Sequence, residues 1–391
     1  MDEPTNPTTR KPVPAMIDAR DLFDLPAGVS YLKACSATPL MCPVREAGVI
    51  GVAKKSQPWT IGADDTFGAG ERARTLFARL IGARADDIAL CPSASYGLST
   101  AARNLPIGEG RDVVILEGQF PSNVYPWTDA IRRTGGTLVT VPYPDDGDWT
   151  AGTLAAISDK TAVAALPAVH WTDASRVDLA VVGKRCRETG TALVLDLSQS
   201  LGAVPFDVRE VEPDFMVAVT EKWLLGPYQL AFLYIAPRHR QGIPIEFGWM
   251  NREQAEDYDN LVDYRERYQP GARRFDMGEK GNYVTLPMAI EALERIVEWT
   301  PAAIEEHIAP LIDMTAEEVA RLGLIPTPAP GRSRHMIGLR RPRGLPADLP
   351  QRLVARDVHV TMRGGCLRIA PHIYNAHADI ERLIEALAAE L

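Results

Sequence analysis

Between residues 88 and 235 the chain alternates short, apolar, β-branched runs with segments long enough to be helices, and that alternation leaves few folds open. The runs are "IALC", "DVVIL", "LVTV", "AVAAL", "ALVLD", "FMVAV" and "AFLYI". Between them lie segments such as "SNVYPWTDAIRRTG" and "DLAVVGKRCRETG", each closing on a glycine suited to a helix C-cap. Strands that are apolar from end to end belong to a parallel sheet covered on both faces. The expectation is an α/β fold with a mainly parallel seven-stranded sheet.

After residue 240 the pattern changes. Longer helical stretches, "YVTLPMAIEALERIVEWT" and "PAAIEEHIAPLIDMTAEEVARLG", lead through a Pro-rich linker, "IPTPAPGRS", to "HMIGLR", a helix, "HVTMR", "CLRIA" and a closing helix "ADIERLIEALAAEL". The expected division is a disordered Pro/Thr-rich arm at 1–20, a large domain at 21–250 and a smaller C-terminal α+β domain at 251–391. The arm lacks an apolar core behind a basic stretch, so it does not read as a secretory signal. A net charge of −9 argues against a basic face for nucleic acid or an anionic membrane and points to small molecules. No stretch approaches the roughly 18 uninterrupted apolar residues of a membrane span. Cys35, Cys42, Cys91, Cys186 and Cys366 are scattered without CxxC pairing. Neither a disulfide framework nor a metal site is indicated, and the cytoplasm is the expected compartment.

Ligands of open α/β sheets bind outside the carboxyl ends of the strands, so the residues that close the apolar runs carry the information. "TALVLDLSQSLG" closes its run on Asp196, with Gln199 three residues on. "DFMVAVTEKWLLGP" closes on Thr220, with Glu221 and Lys222 just beyond. One strand-to-strand step brings Asp196 and Lys222 to neighbouring loops, either as a plain salt bridge or as an acid and a nucleophilic amine in one pocket. "CPSASYGLSTAARNL" opens a helix at Ala94 and Ser95, which is either an ordinary serine cap or an anion site. Phe120 in "LEGQFPSNVYPW" and His170 in "AVHWTDASRVDL" lie at two further strand ends.

"LVLDLSQSLGAVPFDV" followed by "AVTEKWLLGPYQLAFLYI" resembles the class V aminotransferases of fold type I, pyridoxal-phosphate enzymes that include cysteine desulfurases, kynureninase and isopenicillin N epimerase. The resemblance runs from "YLKACSATPL" to "LRIAPHIYNAHADIERLIEAL", nearly the whole chain. It implies pyridoxal 5'-phosphate as cofactor, Lys222 as the catalytic amine that condenses with its aldehyde, and Asp196 as the anion beside the pyridine nitrogen. It further implies Gln199 on the phenolic oxygen, Phe120 on the ring face, and Ala94, Ser95 and Thr220 around the phosphate. Arg368 in "LRIAPHIYN" matches the arginine whose planar fork grips the substrate α-carboxylate. His170, at a strand end on the same sheet edge, is expected to border cofactor or substrate. The active site is expected at a homodimer interface, with Trp249 of "FGWM" on the substrate side and Asn282 reaching the partner's phosphate.

Two residues depart from the family pattern. Glu221 stands where the family has His, Gln or Tyr; it must point away from the phosphate, pair with a base such as Arg273 or Arg274, or bind the substrate amine. Cys366 sits two residues before Arg368 inside an apparent strand, whereas the desulfurase nucleophile lies well upstream on a loop. The expected reaction is therefore a lyase that eliminates sulfur from a cysteine S-conjugate in a biosynthetic, secondary-metabolic setting. The alternatives are an aminotransferase, an epimerase or a decarboxylating deaminase, and, in another class, a non-catalytic binding or regulatory protein that keeps the fold.

Overall fold

The computed structural model describes residue 17 and residues 19–391, so most of the arm expected at 1–20 lies outside the described residues. All seven apolar runs are strands of one sheet: β1 (Ile88–Cys91), β2 (Asp112–Leu116), β3 (Thr137–Val141), β4 (Thr161–Pro167), β5 (Ala192–Asp196), β6 (Phe215–Val219) and β7 (Ala231–Ile235). Their order is β1-β7-β6-β5-β4-β2-β3. Six strands share one direction and β7 opposes its two neighbours. The segment between β6 and β7 contains no crossover helix, so the chain can only return antiparallel. Strands β1, β4, β6 and β7 are buried at every position, as burial on both faces requires.

The helices are placed by local chemistry. Ser93 caps the helix Ala94–Asn104 by accepting from the Tyr96 amide at 3.2 Å, and Asp178 caps Leu179–Thr189 in the same way. Helix Ala94–Asn104 lies close on β6: a Cβ on Gly97 would stand 2.9 Å from Val217. That close approach aims the helix N-terminus at the carboxyl edge of the sheet.

A second, antiparallel sheet is formed by β8 (Ile325–Pro326), β9 (Ile337–Arg340), β10 (Thr361–Arg363) and β11 (Cys366–Ile369), in the order β10-β11-β9-β8. The Pro-rich stretch expected to be only a linker thus supplies the edge strand β8, a position where proline is tolerated. The chain start joins this sheet's side of the molecule: Ser30 and Tyr31 pair with Val358 and His359, and Ala370 donates to Leu32 O.

Residues beyond 250 return to the large sheet. Asp276 holds the fully buried Arg74 through both carboxylate oxygens at 2.8 and 2.5 Å, and also accepts from Leu90 N at 2.9 Å and Lys280 at 2.7 Å. Removing one partner of a buried pair strands the other charge, at a cost of about 3–5 kcal/mol. This network fixes β1, and through it the turn at Ser93.

Candidate active site

Seven segments meet at the carboxyl edge of the parallel strands and enclose a cavity of about 280 Å³. Ser93, Ala94 and Ser95 arrive after β1, Gln119 and Phe120 after β2, and Val169 and Trp171 after β4. The tip of β5 brings Asp196, Ser198 and Gln199, and the end of β6 brings Glu221 and Lys222. The chain start contributes Cys35 and Ser36, and the small sheet contributes Arg363 and Arg368.

The charges in this cavity are unpaired by protein. Asp196 is 8% exposed and accepts from Ser198 N at 3.0 Å, but meets no cation among the described residues. Arg368 is 2% exposed; it donates from Nε to Thr361 Oγ1 at 2.9 Å and from Nη1 to Trp171 O at 2.7 Å, yet no carboxylate of the described residues reaches it. Burial, with a smaller contribution from the charge of Arg363, lowers its pKa. Lys222 forms no ion pair among the described residues, its Nζ standing 5.4 Å from the centroid of the Phe120 ring. The plain salt bridge between Asp196 and Lys222 is thus not formed. Buried charges are ordinarily paired. A cavity that separates a buried acid from a buried guanidinium fits a ligand carrying a cationic group at one end and a carboxylate at the other.

At the N-terminus of helix Ala94–Asn104 the hydroxyls of Ser93 and Ser95 stand 3.0 Å apart, and the Ala94 and Ser95 amides start the helix facing the cavity wall. Amides of a first turn have no intrahelical acceptor, which suits an anion. Gln199 is locked from both ends: its Nε2 donates to Cys35 O at 2.9 Å and its Oε1 accepts from Trp223 Nε1 at 3.3 Å. Since Oε1 is taken by the indole, the second Nε2 proton is what remains to offer an acceptor in the cavity. Phe120, edge-on to Trp171 at 5.2 Å, forms an aromatic wall.

Four expected residues lie outside the cavity wall of this chain. Thr220 is buried, and its single hydroxyl proton is shared between Pro227 O and Leu230 O, so it shapes the Lys222 turn instead of meeting an anion. His170 is 1% exposed, bonded to Glu117 O at 3.0 Å and stacked on Trp149; burial lowers its pKa to about 4. Trp149 and the Glu117 carbonyl turn that imidazole into the core. Trp249 bonds Glu279 at 3.2 Å, and the Asn282 side chain caps Val284 N and Thr285 N at 2.9 Å.

Glu221 lines the cavity and forms no ion pair among the described residues. Arg273 is taken by Glu71 and Asp86, and Arg274 by Gln241 and the Gly242 carbonyl, so neither supplies the expected pairing. Burial raises the Glu221 pKa, helped by repulsion from Asp196 and opposed by Lys222. Cys366 is buried against Gly338, and burial pushes its thiol up to about 12. Sequence reasoning missed Ser93, Cys35 and Arg363. Ser93 was legible as the cap before the helix, and the "RGGC" hairpin could have marked Arg363; nothing local singled out Cys35.

Known proteins share this plan. The aminotransferase class-V family model matches residues 63–383. A Bacillus subtilis protein described as the uncharacterized aminotransferase YcbU is 28% identical over 376 residues, 95% of this chain and 97% of that protein. Isopenicillin N epimerase of Streptomyces clavuligerus is 25% identical over 333 residues, 81% of this chain and 83% of that protein. The solved structure of a cysteine desulfurase from Thermococcus onnurineus has the same fold, with a TM-score of 0.82 at 20% identity over 95% of this chain and 97% of that one.

Proposed function

The chain belongs to the class V aminotransferase family, and from that premise we propose that it is a lyase which eliminates the sulfur group of a cysteine S-conjugate. It is a pyridoxal 5'-phosphate enzyme of fold type I. The cavity residues fit the cofactor: the Ser93–Ser95 turn suits its phosphate, the Phe120 ring its face, Asp196 its ring nitrogen, Gln199 its phenolic oxygen and Lys222 its aldehyde carbon. When bound, the group supplies an electron sink for the pair left at the substrate Cα.

The observation that carries the amino-acid reading is the buried Arg368 without an acid, in one cavity with Lys222 and Asp196. Its guanidinium would orient the α-carboxylate, and the Lys222 amine would take the Cα proton. The Cβ–S bond then breaks, the sulfur leaving with the electron pair and taking up a proton as a thiol. The remaining three-carbon unit adds water and departs as pyruvate and ammonium. Elimination is favoured over persulfide transfer because Cys366 lies in β11 behind a two-glycine turn and not on a loop that could carry its thiol to substrate. The same reading takes the enzyme as a cytoplasmic homodimer of secondary metabolism, with Trp249 and Asn282 serving the partner's site. It divides the chain into a cofactor domain at 21–250 and a small domain at 251–391, with Asp276 and Met277 at the start of the latter packed back on the large sheet.

Incubating the holoenzyme with a panel of cysteine S-conjugates should release thiol, pyruvate and ammonium in equal amounts. Borohydride reduction followed by peptide mapping should place the pyridoxyl group on Lys222. A racemised substrate, a keto acid formed with an aminated cofactor, or sulfur retained on a protein cysteine such as Cys35 would overturn the elimination. A label on any other lysine would overturn the site.

A further inference from the structure

We propose that Arg363 reads a second anionic group on the substrate, so that the preferred substrate is a cysteine S-conjugate whose sulfur substituent carries a carboxylate or similar acid. The inference rests on the amino-acid reading of Arg368 and adds the chemistry of the substrate's far end.

The hairpin of β10 and β11 sets Thr361 opposite Arg368 and Arg363 opposite Cys366. Cross-strand partners share a face and residues two apart on a strand share it too, so Arg363 and Arg368 project from the same side. The Arg368 to Thr361 hydrogen bond at 2.9 Å marks that side, and both arginines line the cavity. Arg368 is the inner cation, 2% exposed, and Arg363 is the exposed one at the mouth.

Arg363 is held in place. Gly364 and Gly365 both have positive φ, 54° and 71°, as a two-residue hairpin turn demands. Arg340 clamps the turn by donating to Gly364 O at 3.3 Å. The Arg363 guanidinium itself bonds only the Met362 carbonyl, at 2.8 Å, and no carboxylate of the described residues pairs with it. Glu221, the other acid of the cavity besides Asp196, forms no ion pair with Arg363.

Two guanidinium groups on one face repel each other, and the charge of Arg363 contributes to the lowered pKa of Arg368. Among the described residues no acid pairs with either to offset the repulsion. A ligand with one carboxylate satisfies the inner cation alone; a ligand with two carboxylates, one on Cα and one on the sulfur substituent, satisfies both. An arginine fork suits such a planar anion better than a lysine would.

The test compares S-(2-carboxyethyl)cysteine with its uncharged analogue S-propylcysteine, in wild type, Arg363→Gln and Arg363→Lys. The readouts are the ratio of kcat/KM values and the dissociation constants from the change in cofactor absorbance on binding. Wild type should prefer the acidic conjugate by about tenfold, the size expected of one charge-assisted hydrogen bond. Arg363→Gln should bring both ratios near one, and Arg363→Lys should fall between. Equal ratios in wild type and Arg363→Gln would overturn the assignment. The absorbance titration does not depend on which bond breaks. A preference in binding lost in Arg363→Gln would uphold Arg363 even if the products were not those of elimination. If neither conjugate perturbs the spectrum, both the amino-acid reading and this one fall.

Discussion

Replacing Arg368 by lysine keeps the positive charge but not its shape. In the wild type, Nε and Nη1 are anchored on Thr361 Oγ1 and Trp171 O, which leaves Nη2 without a protein partner among the described residues and fixes the plane of the fork. A carboxylate docked on that plane accepts two parallel charge-assisted hydrogen bonds, whereas an ammonium offers one that is not pre-oriented. Losing one such bond costs about 1.5–3 kcal/mol, which corresponds to a dissociation constant weakened by about 10- to 150-fold. The assay is an absorbance titration of wild type and Arg368→Lys with an S-alkylcysteine, paired with the S-alkylcysteamine that lacks the α-carboxylate. The amino acid should bind about 10- to 150-fold more weakly to the variant, and the cysteamine nearly equally to both. Equal affinity for the amino acid, or an equal loss for the two ligands, would refute the claim that Arg368 grips the α-carboxylate.

Three further outcomes are expected. Asp196→Asn should retain bound cofactor yet lose about two orders of magnitude in turnover, read by steady-state kinetics, since the amide cannot stabilise charge on the ring nitrogen. Burial holds the Glu221 carboxyl above its ordinary 4.5, so its ionisation works against folding above that raised value, and the penalty is absent below 4.5. Glu221→Gln apoenzyme should therefore melt above wild type at pH 8, and the gap should close below about pH 4 by scanning calorimetry. His170, His335 and His372 are buried with pKa values lowered to about 4, 4 and 3 by desolvation, so each binds its proton on unfolding but not in the fold. Stability should fall as pH drops from 6.5 towards 4, with about 4 kcal/mol per pH unit from the three imidazoles together, read as urea midpoints.

Six of the seven strands were legible because a strand buried on both faces is written in consecutive apolar residues, which need no knowledge of their neighbours; the edge strand β3 is partly exposed and was legible from its β-branched run. The rule that ligands meet the carboxyl ends of such strands then singled out Asp196, Gln199, Phe120, Glu221 and Lys222, and all of them line the cavity. Arg368 could be matched by motif, but its missing counter-ion could not be read, since that depends on what the rest of the chain fails to bring near it. The same reason explains the misplaced expectations. His170 ends a strand on the expected edge, yet Trp149 and the Glu117 carbonyl turn its ring into the core. Thr220 stands beside the Lys222 turn, but the carbonyls of Pro227 and Leu230 take its proton. Arg273 was available to Glu221 by charge and was claimed instead by Glu71 and Asp86. By itself the sequence determined the sheet, the lysine and the acid at its edge, because those follow from local periodicity and chain order. Only the tertiary structure decided which polar groups remain unpaired inside the cavity, because a hydrogen bond or ion pair is settled by competition among groups far apart in sequence and side by side in space.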